Sequence, residues 1–150
     1  MLIEADKQGI RLVPRRSFAG LMTLYESNYR RLTGLIAALS SPPDHATSRV
    51  VGDLPLYLET LERCRYTSTL RLTYWFEGES GEVWPDPDLV VRVYHDAGLA
   101  EVTSCCEFHR HRILRPWVTS SGEEIRQRWT RNQMSHKWLE FCLERGHRIA

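Results

Sequence analysis

The stretch Val91–Val102, VRVYHDAGLAEV, predicts two short strands that fold back on each other over a tight turn. If Ala97 and Gly98 are the two turn residues, Tyr94 faces Glu101 across the hairpin. Side chains alternate between the two faces of a strand. One face of the hairpin is therefore apolar and belongs to a core, formed by Val91, Val93, Ala100 and Val102.

The other face of the hairpin is polar and carries Arg92, Tyr94, Glu101 and Thr103. Two interpretations remain open for it. In the first interpretation, this face is a solvated sheet face, and Arg92 and Glu101 form a surface ion pair that stabilises the fold only slightly. Alternatively, it is the floor of a shallow ligand cleft in which Arg92 clamps an anionic group.

His95 and Asp96 lie at the bend and invite a catalytic interpretation. Neighbouring side chains on a strand diverge, so the two residues do not form a dyad by themselves. We expect His95 to face the core as a structural histidine and Asp96 to bond backbone amides in the turn. No catalytic residue is predicted here.

Outward from the hairpin, a period of two residues predicts further strands at 54–61, 69–76, 89–95 and 99–109. In Thr69–Phe76, apolar Leu70 and Leu72 alternate with polar residues. Residues 78–88 read as a long polar connection with two prolines. Turn-linked strands without intervening helices predict a four- to five-stranded antiparallel meander.

One helix is predicted before the strands in the chain and one after them. The first is a long N-terminal helix, capped by Ser17 and running to about Leu39, before two prolines stop it. The second runs from about 123 or 128 to Arg145, with Gly146 beyond its end, and its apolar residues, Met134 and Phe141 included, predict deep packing on the sheet. Residues 1–15 read as a flexible arm, and 16–150 as one α+β domain.

The composition is that of an ordinary globular protein, with 150 residues and a net charge of +1. No apolar run approaches the roughly 20 residues needed to span a bilayer, and no secretion signal precedes the four cysteines. The cysteines therefore read as reduced thiols, and the predicted location is the cytoplasm. They are Cys64, Cys105, Cys106 and Cys142.

Charge is unevenly distributed along the chain: residues 50–101 are mainly acidic and residues 107–137 mainly basic. The two regions either pair with each other on the folded surface or leave a basic strip facing an anionic partner. An RNA-binding surface in the basic segment 110–137 is one form of the second alternative.

No cofactor is predicted, because the sequence contains none of the phosphate-binding, nucleophile-elbow or zinc-protease motifs. His109 and His111 are the candidates for a metal site, since two histidines one residue apart on a strand can both reach zinc. No further ligand pair accompanies them at a suitable spacing. We therefore predict no metal site.

Residues of both helices and of the strands together form a recognisable pattern: Glu26, Asn28, Tyr29 and Leu32; Arg65, Tyr66 and Thr67; Arg92, Tyr94, His95, Asp96, Ala97, Ala100, Glu101 and Val102; Asn132, Gln133, Trp138, Leu139, Cys142, Leu143 and Gly146. In these residues the chain resembles the YqiB-like bacterial family, a domain of unknown function. The resemblance covers nearly the whole chain and implies a cytoplasmic bacterial protein, but no reaction. The family pattern lacks the Cys105–Cys106 pair, His109 and His111, which counts against a metal site.

The function predicted from these features is a non-enzymatic binding or regulatory module whose partner is an anionic small molecule or a protein. The ligand-binding candidates are Arg65, Tyr66, Arg92, Tyr94 and Glu101, and the structural polar candidates are Asn28, His95, Asp96 and Asn132. The enzymatic alternative is a small hydrolase or nucleotide-handling protein. It requires Arg65 and Arg92 to converge on a phosphate in the same cleft as a base from the hairpin.

Overall fold

The structure is a computed structural model that describes residues 17–105 and 121–150. In these residues it contains two helices and five strands, which confirms the predicted α+β architecture. In chain order the elements are α1 (Phe18–Leu35), β1 (His45–Ser48), β2 (Leu56–Arg63), β3 (Thr67–Glu77), β4 (Val83–Tyr94), β5 (Leu99–Cys105) and α2 (Ser121–Glu144). The predicted arm, residues 1–15, lies outside the described residues.

The five strands form one antiparallel sheet in the order β1-β2-β3-β4-β5. Each strand pairs with the next one along the chain, which confirms the predicted meander. The alternating pattern does not reveal β1, because this strand has only four residues and buries only Ser48.

The first helix begins where the sequence predicts and ends earlier. The Ser17 hydroxyl accepts a hydrogen bond from the backbone N–H of Gly20 at 3.0 Å and so caps α1. The predicted end near Leu39 is wrong, because Ile36 turns extended and pairs with Ile149 in a parallel bridge. Backbone hydrogen bonds to the C-terminal residues thus replace the last helical turn.

One face of the sheet is apolar and packs against both helices. Its buried residues are Leu56, Leu58, Leu70, Leu72, Leu89, Val91, Val93, Ala100 and Val102. Leu32 and Leu35 of α1 and Leu139 of α2 complete this core, and burial of one such side chain stabilises the fold by about 1.5–3 kcal/mol. The prediction that α2 is deeply packed is wrong for Met134 and Phe141, which are 55% and 44% exposed.

The two helices lie side by side and run in the same direction. Ser27 Oγ of α1 lies 2.8 Å from His136 Nε2 of α2, and one turn further along, Arg31 forms an ion pair with Glu140 at 3.6 Å. The N-terminal halves of both helices therefore lie at one end of the sheet, beside the β4–β5 turn.

The predicted register of the β4–β5 hairpin is wrong by two residues. Tyr94 pairs with Leu99 and Arg92 pairs with Glu101, so the turn contains four residues instead of two. The adjacent β2–β3 turn favours this larger β4–β5 turn, because the His95 N–H donates a hydrogen bond to the Tyr66 carbonyl at 2.9 Å. A shift of two residues leaves every side chain on its predicted face.

The β3–β4 connection is shorter than predicted, because much of the polar segment 78–88 is strand. Phe76 pairs with Trp84 and Glu77 with Val83. The neighbouring strand β2 reaches only Tyr74, and β5 reaches only Leu89. Within the described residues, residues 75–85 therefore extend beyond both neighbouring strands as a two-stranded hairpin, which we name the β3–β4 ribbon.

Candidate functional site

A cleft opens where the N-terminal halves of α1 and α2 meet the β4–β5 hairpin. Its volume is about 450 Å³, which lies within the range of small-molecule sites. Most of its walls are apolar, and its polar groups come from two tyrosines, a glutamate and an arginine. The lining residues are Phe18, Leu21, Met22, Tyr25, Tyr94, Ala97, Leu99, Glu101, Ile125 and Arg128.

Tyr25 carries the unexplained polar group of the cleft. The side chain lies in the apolar stripe of α1 and is only 5% exposed. Within the part of the chain that the structure describes, its hydroxyl is buried and makes no hydrogen bond of good geometry, although the carboxylate of Glu101 is close enough to interact with it. A buried hydroxyl without such a bond costs about 1–3 kcal/mol, so this position stabilises the fold less than a hydrogen-bonded one.

The charge of Glu101 acts on this hydroxyl. Burial, and after it the negative charge of Glu101 and a weak hydrogen bond to the same carboxylate, raise the pKa of Tyr25 to about 12, although Arg128 and Arg131 oppose them. Tyr25 is therefore a neutral hydrogen-bond donor at physiological pH. Tyr94 also donates to this carboxylate, to Glu101 Oε1 at a long 3.5 Å.

The buried amide of Asn132 fixes the wall behind the cleft. Its Oδ1 accepts hydrogen bonds from the Val102 N–H at 2.8 Å and from Asn28 Nδ2 at 3.1 Å. Its Nδ2 donates to the carbonyls of Val102 at 3.2 Å and Arg128 at 2.9 Å. Asn28 and Asn132, which packing of apolar side chains does not explain, thus join α1, α2 and β5 through one network.

The ligand-binding candidates do not all come together. Tyr94 and Glu101 line the cleft. Arg92 pairs with Glu101 in the sheet but is exposed and lies outside the cleft lining. Arg65 and Tyr66 are exposed at the β2–β3 turn, where the guanidinium stacks 5.3 Å from the ring centre. The convergence that the enzymatic alternative requires is therefore not seen in this cleft.

The two residues of the predicted bend, His95 and Asp96, also lie in different surroundings. His95 is half-buried, with Nε2 at 2.8 Å from Ser68 Oγ, and its other ring nitrogen has no hydrogen-bond partner among the described residues. Asp96 is exposed. Neither side chain belongs to the cleft lining.

A second polar cluster lies at the opposite end of the helices, and sequence reasoning did not find it. His147 is fully buried, with its Nδ1 2.9 Å from Ser48 Oγ and its Nε2 2.9 Å from Asp53 Oδ2. The Tyr74 hydroxyl also donates to Asp53 Oδ2, at 2.8 Å. We name Ser48, Asp53, Tyr74 and His147 the His147 cluster.

The His147 cluster has the residue types of a serine hydrolase triad but a different environment. Ser48 is only 5% exposed, and its Oγ already accepts a hydrogen bond from the Arg148 N–H at 3.0 Å. A nucleophile must reach its substrate, and this hydroxyl is enclosed. The cluster joins the C-terminal residues to β1, and no short sequence spacing reveals it because Ser48 and His147 are distant along the chain.

The described residues contain no group of three or more histidines, cysteines or acids that could hold a metal ion. His109 and His111 lie outside those residues, and so does the first part of the basic segment 110–137. In the described ranges, 17–105 and 121–150, no helix has the length and apolar character needed to cross a membrane.

Comparison with known proteins assigns the chain to a family. The family model described as "Protein of unknown function (DUF1249)" matches residues 31–148. The chain belongs to the DUF1249 family. The match includes the whole sheet and all of α2, whereas Phe18 and Tyr25 of the cleft precede it.

Relatives in Escherichia coli support this assignment and confirm the resemblance seen in the sequence. The chain is 28% identical to "Uncharacterized protein YqiB" of strain K12 over 129 residues, which are 86% of this chain and 90% of that protein. The proteins of the same name in strains CFT073 and O157:H7 match with the same identity and coverage. No solved structure matches the chain.

Proposed function

We propose that the protein is a cytoplasmic, non-enzymatic binding module whose ligand occupies the cleft between α1, α2 and the β4–β5 hairpin. The observation that supports this proposal is the Tyr25 hydroxyl, which is buried in the wall of the cleft and, among the described residues, makes no hydrogen bond of good geometry, only a weak interaction with Glu101. Buried polar groups in folded proteins are nearly always hydrogen-bonded. A ligand group that bonds Tyr25 would supply the missing hydrogen bond.

The cleft favours a small molecule with an apolar body and a hydrogen-bond-donating head, such as an aryl or alkyl amine. Phe18, Met22 and Ile125 offer apolar surface to the body. The carboxylate of Glu101 accepts a hydrogen bond from such a head, and the hydroxyl of Tyr25 accepts a second one on its oxygen while its own proton is directed to Glu101. A charge-assisted bond to the carboxylate is about twice as strong as a neutral one.

A binding role agrees with the chemistry of the cleft better than catalysis does. Two tyrosines, Glu101 and Arg128 supply no activated nucleophile. The Ser48–His147–Asp53 chain lies at the far end of the helices and is enclosed. A cytoplasmic location agrees with the thiols of Cys64 and Cys142, neither of which forms a disulfide.

The test is a thermal-shift screen of the purified protein with aryl and alkyl amines, matched carboxylates and nucleotides. We expect amines to raise the melting temperature. For a hit, Tyr25→Phe weakens binding by about tenfold because it removes one hydrogen bond to the ligand. Glu101→Gln also weakens binding because it removes the negative charge.

Tyr57→Phe is the matched control, since Tyr57 also has a hydroxyl but lies on β2, outside the cleft lining. It should leave the affinity unchanged. If none of the amines raises the melting temperature, the proposal is wrong. Binding of nucleotides that depends on Arg65 and Arg92 would support the enzymatic alternative instead.

A further inference from the structure

The β3–β4 ribbon exposes large apolar side chains on a protruding element. Trp75, Phe76, Val83 and Trp84 are 37%, 38%, 57% and 42% exposed. Phe76 and Trp84 stack across the ribbon, with ring centroids 6.3 Å apart and planes inclined by 16°. Successive side chains of a strand point to opposite faces, so the stacked pair Phe76 and Trp84 forms an apolar patch on one face of the ribbon, and exposed apolar patches mark interaction sites on soluble proteins.

The ribbon and the three residues that follow it on β4 are also strongly acidic. Residues 75–88 contain five carboxylates and no lysine or arginine. Asp88 is neutralised by Arg71, which bonds both of its oxygens at 2.7 and 2.8 Å. The other four form no ion pair within the part of the chain that the structure describes, and they are Glu77, Glu79, Glu82 and Asp86.

Backbone pairing does not suit this surface. Pro85 and Pro87 lie in β4 and have no N–H to donate, so the edge of β4 is a poor template for another strand. Recognition must therefore use the side chains, and aromatic faces next to carboxylates attract cations through their rings as well as through charge. A second copy of the ribbon is disfavoured because it would bring like charges together.

We propose that the β3–β4 ribbon is a docking surface for a basic segment of a partner protein, in which lysine or arginine residues are interspersed with apolar ones. The apolar residues of the partner pack on Phe76 and Trp84, and its cations pair with the carboxylates around the turn. This surface is separate from the cleft, whose lining contains no ribbon residue.

The experiment measures fluorescence anisotropy of a labelled peptide of alternating lysine and leucine, titrated with the full-length protein. A peptide of alternating glutamate and leucine is the charge control. We expect only the lysine peptide to bind. Phe76→Thr with Trp84→Thr should weaken its binding by roughly tenfold or more, because central aromatic residues dominate such interfaces.

Two further variants make the result specific. Replacing Glu77, Glu79 and Glu82 by glutamine keeps the aromatic residues, and it should weaken binding several-fold and reduce its salt dependence. Leu61→Thr with Glu62→Gln is the matched control, since both residues are exposed on β2 outside the ribbon. It should bind like the unaltered protein, and all variants should keep the near-ultraviolet circular dichroism of a folded core.

Three results would overturn the proposal. The first is equal binding of the glutamate peptide or equal loss in the Leu61 control. The second is self-association in sedimentation that the ribbon variant abolishes, which would identify a second copy as the occupant. The third is peptide binding that appears only after Arg110, Arg112 and Arg115 are replaced by alanine, which would identify the chain's own basic segment as the occupant.

Discussion

The two ends of the helix pair contain similar polar groups in opposite states. At the C-terminal end, the hydroxyl of Tyr74 and the carboxylate of Asp53 bond each other inside the His147 cluster. At the N-terminal end, the hydroxyl of Tyr25 is equally buried but makes no hydrogen bond of good geometry among the described residues, and Glu101 lines an open cleft. Satisfied polar networks stabilise and fix a fold, whereas unsatisfied ones are typical of sites that await a ligand.

Breaking the His147 cluster should have the largest effect on stability. Asp53→Ala leaves the ring nitrogen of His147 and the hydroxyl of Tyr74 buried without their shared acceptor. We expect the free energy of unfolding to fall by about 3 kcal/mol or more. Chemical denaturation at neutral pH measures it, and an effect below about 1 kcal/mol would show that the cluster contributes little.

Lowering the pH should reduce the free energy of unfolding in two steps. His136 lies midway between the two ends; burial, and after it the positive charge of Arg31, lower its pKa from 6.5 to about 4. Between these two pKa values, His136 is protonated in the unfolded chain but neutral in the folded protein. The free energy of unfolding therefore falls by about 2 kcal/mol as the pH drops from about 6.5 to 4. In His136→Gln this step should be absent from denaturation curves measured across that range.

The second step belongs to Asp53. Burial raises the pKa of its carboxyl, but hydrogen bonds from Tyr74, the Leu54 N–H and His147 outweigh burial and lower it below 3.8. Its contribution is complete above that value and is lost as pH falls through the lower, folded-state pKa. A stability curve that is flat below pH 4 would contradict this assignment.

Removing a single hydroxyl from each end gives the sharpest comparison. Tyr74→Phe deletes the donor to Asp53 and the acceptor of the Cys142 thiol, so it should reduce the free energy of unfolding by about 1–2 kcal/mol. Equal stability of Tyr74→Phe and the unaltered protein would remove the distinction between the two ends.

Tyr25→Phe should have the smallest effect and the opposite sign. Without ligand it removes a buried hydroxyl that makes no hydrogen bond of good geometry among the described residues, so we expect stability to remain equal or rise by up to about 1 kcal/mol. Thermal and chemical denaturation of the ligand-free variant provide the measurement. A clear loss of stability would mean that the hydroxyl makes a stabilising hydrogen bond in the folded chain.

Much of the fold follows from local patterns. The Ser17 cap, the end of α2 at Gly146 and the apolar face of the β4–β5 hairpin all depend on neighbouring residues, and the structure agrees with them. The register was missed because a contact from Tyr66, in another turn, sets the size of the β4–β5 turn. The end of α1 was missed for a similar reason, since Ile149 is far along the chain.

The candidate site was predictable only in part. The pattern placed Tyr94 and Glu101 on one polar face, and both line the cleft. Tyr25 could not be recognised, because its position in the apolar stripe of a helix looks like an ordinary core residue. The His147 cluster is assembled from four separate segments, so only the folded chain brings its members together.

The amide of Asn132 also affects whether two copies of this protein can pair through the edge of the sheet. Among the strands that the structure describes, β5 is at one edge of the sheet, and edge strands can pair with strands of other molecules. A carboxamide has the shape and polarity of a peptide group, and this one bonds both the N–H and the carbonyl of Val102. The side chain of Asn132 thus occupies, at Val102, the hydrogen-bonding positions that a strand from another molecule would need.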